Sequence, residues 1–188
     1  MSVDFDYKLI RSDRKSMAVQ VSGGEVVVRA PRHVRESEIE RFLLKHSDWV
    51  KKKLEVARKA AKELKADEVI SAEELQALAK RAAEVIPKRV EYYAKLVGVT
   101  YGRITIRAQK TRWGSCTAKG NLNFNCLLML TPLEVLDSVV VHELCHRKQM
   151  NHSDKFYKEV IKVFPEYHKC RAWLSEHGDS LLVKAGKR

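Results

Sequence analysis

The chain has 188 residues, and its 36 Lys and Arg against 24 Asp and Glu give a formal net charge of +12. With 45% hydrophobic and 32% charged residues it is too apolar for a disordered chain and can bury a core; its length favours one compact domain, or a domain with a small appendage, over two large ones. It has no run of about 18 apolar residues, no apolar stretch in the acid-containing start from Met1 to Arg11, and no CxxC pair among Cys116, Cys126, Cys145 and Cys170, so neither a membrane span nor a signal peptide is expected, and neither a disulfide framework nor a Cys-rich zinc finger.

A cytoplasmic protein with reduced thiols is therefore expected. Its basic field would concentrate anionic ligands and says nothing about fold. In chain order, two β-rich runs, Met17 to Val21 and Glu25 to Ala30, flank Ser22-Gly23-Gly24 and predict a hairpin that Pro31 ends. From Ser37, the residues Ile39, Phe42, Leu43, Trp49, Val50 and Leu54 recur at mostly helical spacing, predicting a helix or helix pair to about Leu64. Trp49, like Trp173, is expected as a core or inter-helix anchor. Much of the positive charge lies in Arg41 to Lys65, interleaved with Asp48, Glu55 and Glu63. A solvated helix face is the leading reading there, and a face that binds nucleic acid is the other.

After a short polar join, Ser71-Ala72-Glu73-Glu74 reads as a capping box. The helix it opens reaches Val97, with Gly98 as its stop and Pro87 marking a kink or break. Residues 1–65 thus read as an N-terminal hairpin and basic helical segment and residues 66–188 as the catalytic domain, or the two form one compact unit. Beyond Gly98 the pattern turns to period two at Ile104 and Ile106, and a run from Leu122 to Leu130 follows the loop Arg112 to Gly120. A second small sheet is expected. Thr131-Pro132-Leu133-Glu134 then combines an N-cap Thr, a Pro at the first helical position and a Glu three residues after the cap. The helix it starts carries Val135, Leu136, Val139, Val140 and Leu144, and another is expected from Ser153 to about Phe164.

On the first of these lies His142-Glu143-Leu144-Cys145-His146. Residues at i and i+4 share a helix face, so both imidazoles reach one cation while Glu143 projects beside it. Catalytic zinc takes three protein ligands and keeps a position for water, and His152 is the candidate third, reached through a turn that a left-handed Asn151 would supply. Zinc would lower the pKa of its water, and Glu143 would take the proton and deliver it to the leaving group. The bland alternatives are an exposed loop histidine for His152 and a surface carboxylate paired with Arg147 for Glu143. Cys145 falls off the metal-facing stripe and reads as a core residue.

Arg112-Trp113-Gly114-Ser115-Cys116, Gly120 to Leu130 with Asn125, Pro132, Val139 through His146, Asn151-His152-Ser153 and Phe156 together resemble the YgjP-like metallopeptidase family, which is related to the SprT-like and WLM zinc peptidases. Arg14-Lys15-Ser16, Val27 to Pro31, and Ile39 through Phe42 to Trp49 follow the family's usual order, so the resemblance runs from about residue 7 to about residue 175. It implies an α+β fold with a zincin-like core: a small sheet, an active-site helix bearing His142, Glu143 and His146, and His152 as third ligand at the start of the next segment. It also implies zinc as cofactor and a peptide or protein substrate.

Some YgjP-like proteins are assigned as nucleoside triphosphate pyrophosphatases, and SprT-like relatives act on DNA-bound proteins. A metal-dependent, UTP-type pyrophosphohydrolase is therefore the first alternative. A DNA-associated zinc protein that binds through the helix 41–65 is the second. The histidine spacing equals that of metzincins, but Gln149 stands where those enzymes have Gly, and no Met-turn follows. Tyr157 replaces the Trp common after Phe, and Arg147-Lys148 replaces an apolar residue, placing a basic rim beside the metal. Arg112, Ser115 and Tyr157 are expected to shape the substrate site, with Arg112 facing an oxyanion or phosphate. Alternatively Trp113 is buried in a tight turn at Gly114 and Arg112 is a surface cation. Tyr157, Tyr167 and His168 are candidate transition-state donors.

Overall fold

The computed structural model describes residues 3–22, 24–63, 69–109 and 111–186. They form an α+β fold in which the chain divides into two compact units, Met1–Ala66 and Asp67–Arg188. None of the described helices is long and apolar enough to cross a membrane.

The first unit holds a sheet of β1 (Lys8–Ser12), β2 (Ala18–Ser22) and β3 (Glu25–Pro31) in the order β1-β3-β2. The alternating valines make the expected hairpin: β2 and β3 pair antiparallel with Val19 opposite Val28 and Val21 opposite Val26. Gly23 of its turn lies outside the described residues. The parallel edge strand β1 carries no comparable alternation and was not expected. The helix pair is α1 (Glu36–Lys45) and α2 (Ser47–Glu63); the end expected at Leu64, and Lys65, lie outside the described residues. Val28 and Ala30 pack with Ile39 and Leu43 of α1, and Val26 with Val50 and Leu54 of α2. Val50, Leu54 and Ala57 are the buried stripe of α2, which turns Trp49, one residue earlier, outward. Its indole is 46% exposed and is not the anchor expected.

In the second unit, α3 (Ala72–Val97) begins with the expected capping box: the Glu74 N–H donates to Ser71 Oγ at 3.1 Å, and the Ser71 N–H donates to the Glu74 carboxylate at 2.8 Å. Gly98 ends it in the left-handed region at φ 74°. The helix runs through Pro87 without a break, because Ile86, Val90, Ala94 and Val97 bury both halves against the same core. The second sheet is β4 (Ile104–Arg107), β5 (Gly114–Cys116) and β6 (Leu122–Asn125), in the order β4-β6-β5, parallel and then antiparallel.

The loop from Arg112 to Gly120 contains β5, and the strand expected to reach Leu130 stops at Asn125. The Asn125 amide donates to the Gln109 and Arg112 carbonyls at 2.7 and 2.9 Å, while its oxygen accepts the Leu127 N–H. That side chain turns Cys126–Leu130 into a 3-10 helix. Thr131 does not cap the next helix, since its hydroxyl donates back to the Leu128 carbonyl at 2.8 Å. Pro132 is the N-cap of α4 (Leu133–Cys145). This helix is central to its unit, with Leu136, Val140, Val141 and Leu144 buried, each contributing about 1.5–3 kcal/mol. The chain closes with α5 (Asp154–Val163) and α6 (Tyr167–Gly186), the latter not foreseen.

Candidate metal centre

His142 and Glu143 lie in the last turn of α4, and His146 is its C-cap with helical dihedrals, φ −61° and ψ −18°. The i, i+4 relation of the two imidazoles is therefore kept. The chain then winds back by hydrogen bonds of the Arg147 N–H to the Leu144 carbonyl and of the Lys148 and Gln149 N–H groups to the Cys145 carbonyl. No described non-glycine residue has a positive φ, so the return uses helical turns and not the left-handed Asn151 expected. His152 arrives just before Ser153, the N-cap of α5.

The three histidines meet at their Nε2 atoms: His142 Nε2 is 3.2 Å from that of His146 and 3.1 Å from that of His152. Nitrogen atoms of His142, His146 and His152 lie within 4.8 Å of one another. The buried Phe156 ring sits against all three imidazoles, at centroid distances of 4.9, 4.5 and 5.0 Å. His146 Nδ1 lies 3.0 Å from the Gln149 carbonyl. A carbonyl only accepts, so this nitrogen carries the proton and Nε2 presents a lone pair. His142 Nδ1 is 2.8 Å from the Tyr167 hydroxyl, which fixes that ring too. Burial, then the charges of His146, His152 and Arg171, push His142 down to about 3. Burial also lowers His146 and His152. Clustered neutral imidazoles cannot all satisfy one another with hydrogen bonds, whereas one divalent cation takes all their lone pairs, so the donor set fits a metal.

Beside this cluster Glu143 is 5% exposed, and its Oε2 has no hydrogen-bond partner among the described residues. Burial pushes its carboxyl up to about 8, opposed by the positive charge of Arg112. Gly114 of β5 runs directly over it: a Cβ there would stand 2.7 Å from Glu143 Oε1. The surface pairing of Glu143 with Arg147 is not found. Arg147 Nε instead donates to the Thr100 carbonyl at 3.0 Å, and Lys148 pairs with Glu159 at 2.7 Å. The expected basic rim is thus engaged elsewhere.

Arg112 and Ser115 line a cavity of about 220 Å³ together with His142, Glu143, His146 and His152. Ser115 Oγ accepts from the Asn123 amide at 3.2 Å. Tyr157 stays outside that lining, its ring 6.3 Å from the His152 ring and its hydroxyl 3.5 Å from Arg171. A neighbouring cavity of about 300 Å³ also borders His142, Glu143 and Arg112, and adds Trp113, Tyr167 and Arg171. Gly114 is an extended strand residue and not a tight turn; Trp113 packs over Gly178 of α6, where a Cβ would come within 3.2 Å of the indole. Of the candidate donors, Tyr167 is committed to His142 and His168 is exposed. Arg171 was missed because nothing local marks it: α6 carries no motif, and only its packing brings residue 171 beside residue 142.

The family described as YgjP-like, metallopeptidase domain, matches residues 15–77 and 65–177. Among solved structures the chain is similar to the crystal structure of the metallopeptidase zymogen abylysin of Pyrococcus abyssi, with 23% identity over 49% of this chain and 94% of that one and a TM-score of 0.45. It is likewise similar to the metallopeptidase zymogen jannalysin of Methanocaldococcus jannaschii, with 22% identity over 48% of this chain and 94% of that one and a TM-score of 0.44. No curated protein matches the sequence.

Proposed function

The chain belongs to the YgjP-like metallopeptidase domain family, and from that premise we propose that it is a zinc-dependent peptidase in which His142, His146 and His152 hold the metal and Glu143 is the general base. The observation that carries this reading is the convergence of three Nε2 atoms beside a buried carboxylate oxygen with no hydrogen-bond partner among the described residues. An all-imidazole set with an open position suits zinc, although nickel, cobalt or copper would also bind it. Residues 66–188 carry the site and residues 1–65 are an accessory segment. The thiols of Cys116, Cys126, Cys145 and Cys170 are free, in keeping with a cytoplasmic protein.

Bound zinc supplies Lewis acidity, acidifying a water and polarising a carbonyl oxygen. Glu143 would take a proton from the attacking water at a carboxylate oxygen and return it to the leaving amine. Tyr167 holds the His142 ring so that Nε2 faces inward. Arg112 stands in the same cavity as Glu143 and brings a positive charge to the substrate site. Ser115 contacts the substrate backbone, and Tyr157 acts from outside the cavity through Arg171.

Metal analysis by mass spectrometry on untagged protein and on His152→Ala, purified without added metal or chelator, tests the site. About one zinc per chain in the parent and a large loss in the variant are expected. Glu143→Gln should keep the metal and lose cleavage of unfolded protein. Metal-free parent that resists zinc loading would overturn the proposal.

A further inference from the structure

We propose that the cavity next to His142 and Glu143 is a subsite for the C-terminal residue of a peptide: Trp113, Val139 and Leu174 receive an apolar side chain, and Arg112 and Arg171 receive its free carboxylate. This deepens the peptidase reading and rests on it. The cavity encloses about 300 Å³ and borders both His142 and Glu143, a volume at the lower end of small-ligand sites. Trp113, Val139, Tyr167 and Leu174 give it apolar and aromatic walls, Thr111 and Ser138 add hydroxyls, and Glu143 is the single acid among the described residues that line it.

Two arginines from separate parts of the fold line this cavity, Arg112 before β5 and Arg171 from α6. Among the described residues neither forms an ion pair with a carboxylate. Arg171 has the Tyr157 hydroxyl at 3.5 Å and lies 5.6 Å from the centre of that ring. Arginine stays charged at every physiological pH, and its planar fork pairs bidentately with a carboxylate. The basic field of the chain favours arrival of anions in general. The apolar walls select among them, matching a side chain next to its own carboxylate better than a polyphosphate.

The test measures calorimetric binding of N-acetylphenylalanine and of N-acetylphenylalaninamide to metal-replete protein, to Arg171→Gln and to Arg171→Lys. The acid should bind about tenfold tighter than the amide, an advantage that Arg171→Gln removes, Arg171→Lys partly restores and added salt reduces. Equal affinities, binding of neither compound, or tighter binding of inorganic tripolyphosphate than of the acid would overturn the subsite. Cleavage rates on peptides ending in Phe acid or Phe amide separate the two proposals. Hydrolysis indifferent to the terminus and to Arg171 leaves the peptidase and removes the subsite; acid-selective, Arg171-dependent binding with no cleavage of any peptide does the reverse.

Discussion

Gly114 shows how one missing side chain sets the geometry of a buried carboxylate. Its backbone has no need of glycine, since β5 is extended, but a Cβ would lie 2.7 Å from Glu143 Oε1 and 2.8 Å from its Cγ. Gly114→Ala must therefore displace Glu143, whose atoms are the three nearest to the added Cβ, at about 1–3 kcal/mol of overpacking. The expected result is at least about a hundredfold loss of kcat with metal content unchanged, read by kinetics and mass spectrometry on one preparation. Glu143 also gives a pH signature in the metal-free protein. Its folded pKa, about 8, lies above its ordinary 4.5, so its contribution to stability is complete below 4.5 and lost as pH rises through 8. His142, lowered to about 3, has the opposite dependence: it destabilises the fold as pH falls below 6.5 and contributes nothing above. Thermal melts should therefore show Glu143→Gln gaining on the parent from pH 5 to about 8 and levelling off above it, and a gap that stays flat from pH 5 to 8 would refute the buried, neutral carboxyl.

At the scale of elements, α3 and α4 are tied by one charged contact inside an apolar interface. Asp137 of α4 is 5% exposed, takes two guanidinium bonds from Arg89 and accepts the Tyr93 hydroxyl at 3.1 Å. Removing it strands a half-buried cation, so Asp137→Ala should cost about 3–5 kcal/mol, measured as a lower urea midpoint at unchanged slope. Local signals placed both ends of α3 well, where the capping residue bonds its own neighbours, through its side chain at Ser71 and its backbone N–H at Gly98. They failed at Thr131 and across Leu122 to Leu130. There Asn125 reaches the carbonyls of Gln109 and Arg112, contacts sixteen and thirteen residues back along the chain that no local pattern encodes. For α6 the sequence offers neither a capping box nor a regular apolar stripe, and the helix is recognisable only once Tyr167 and Leu174 are seen packed on the core.

On the scale of the whole molecule, the proposed metal site would link binding to folding, because the three nitrogens converge only in the folded second unit. Stripping metal with a chelator should lower the Tm of the full chain, and restoring zinc at about a hundred times its Kd should return about 2.7 kcal/mol of stability. No shift on zinc addition would contradict the site. The helical pair of histidines with Glu143 between them follows from the sequence alone, since an α-helix fixes i and i+4 on one face without help from the rest of the chain. The capping box, the glycine stop, the hairpin of alternating valines and the basic character of α2 are local in the same sense. Other features belong to the tertiary structure alone: Gly114 lies over Glu143, Tyr167 locks the His142 ring, Phe156 backs the imidazoles, and Arg171 comes to the same cavity as Arg112. Each joins residues from different elements, and such contacts are set by how whole faces pack and which polar groups burial forces to pair. Spacing along the chain carries neither.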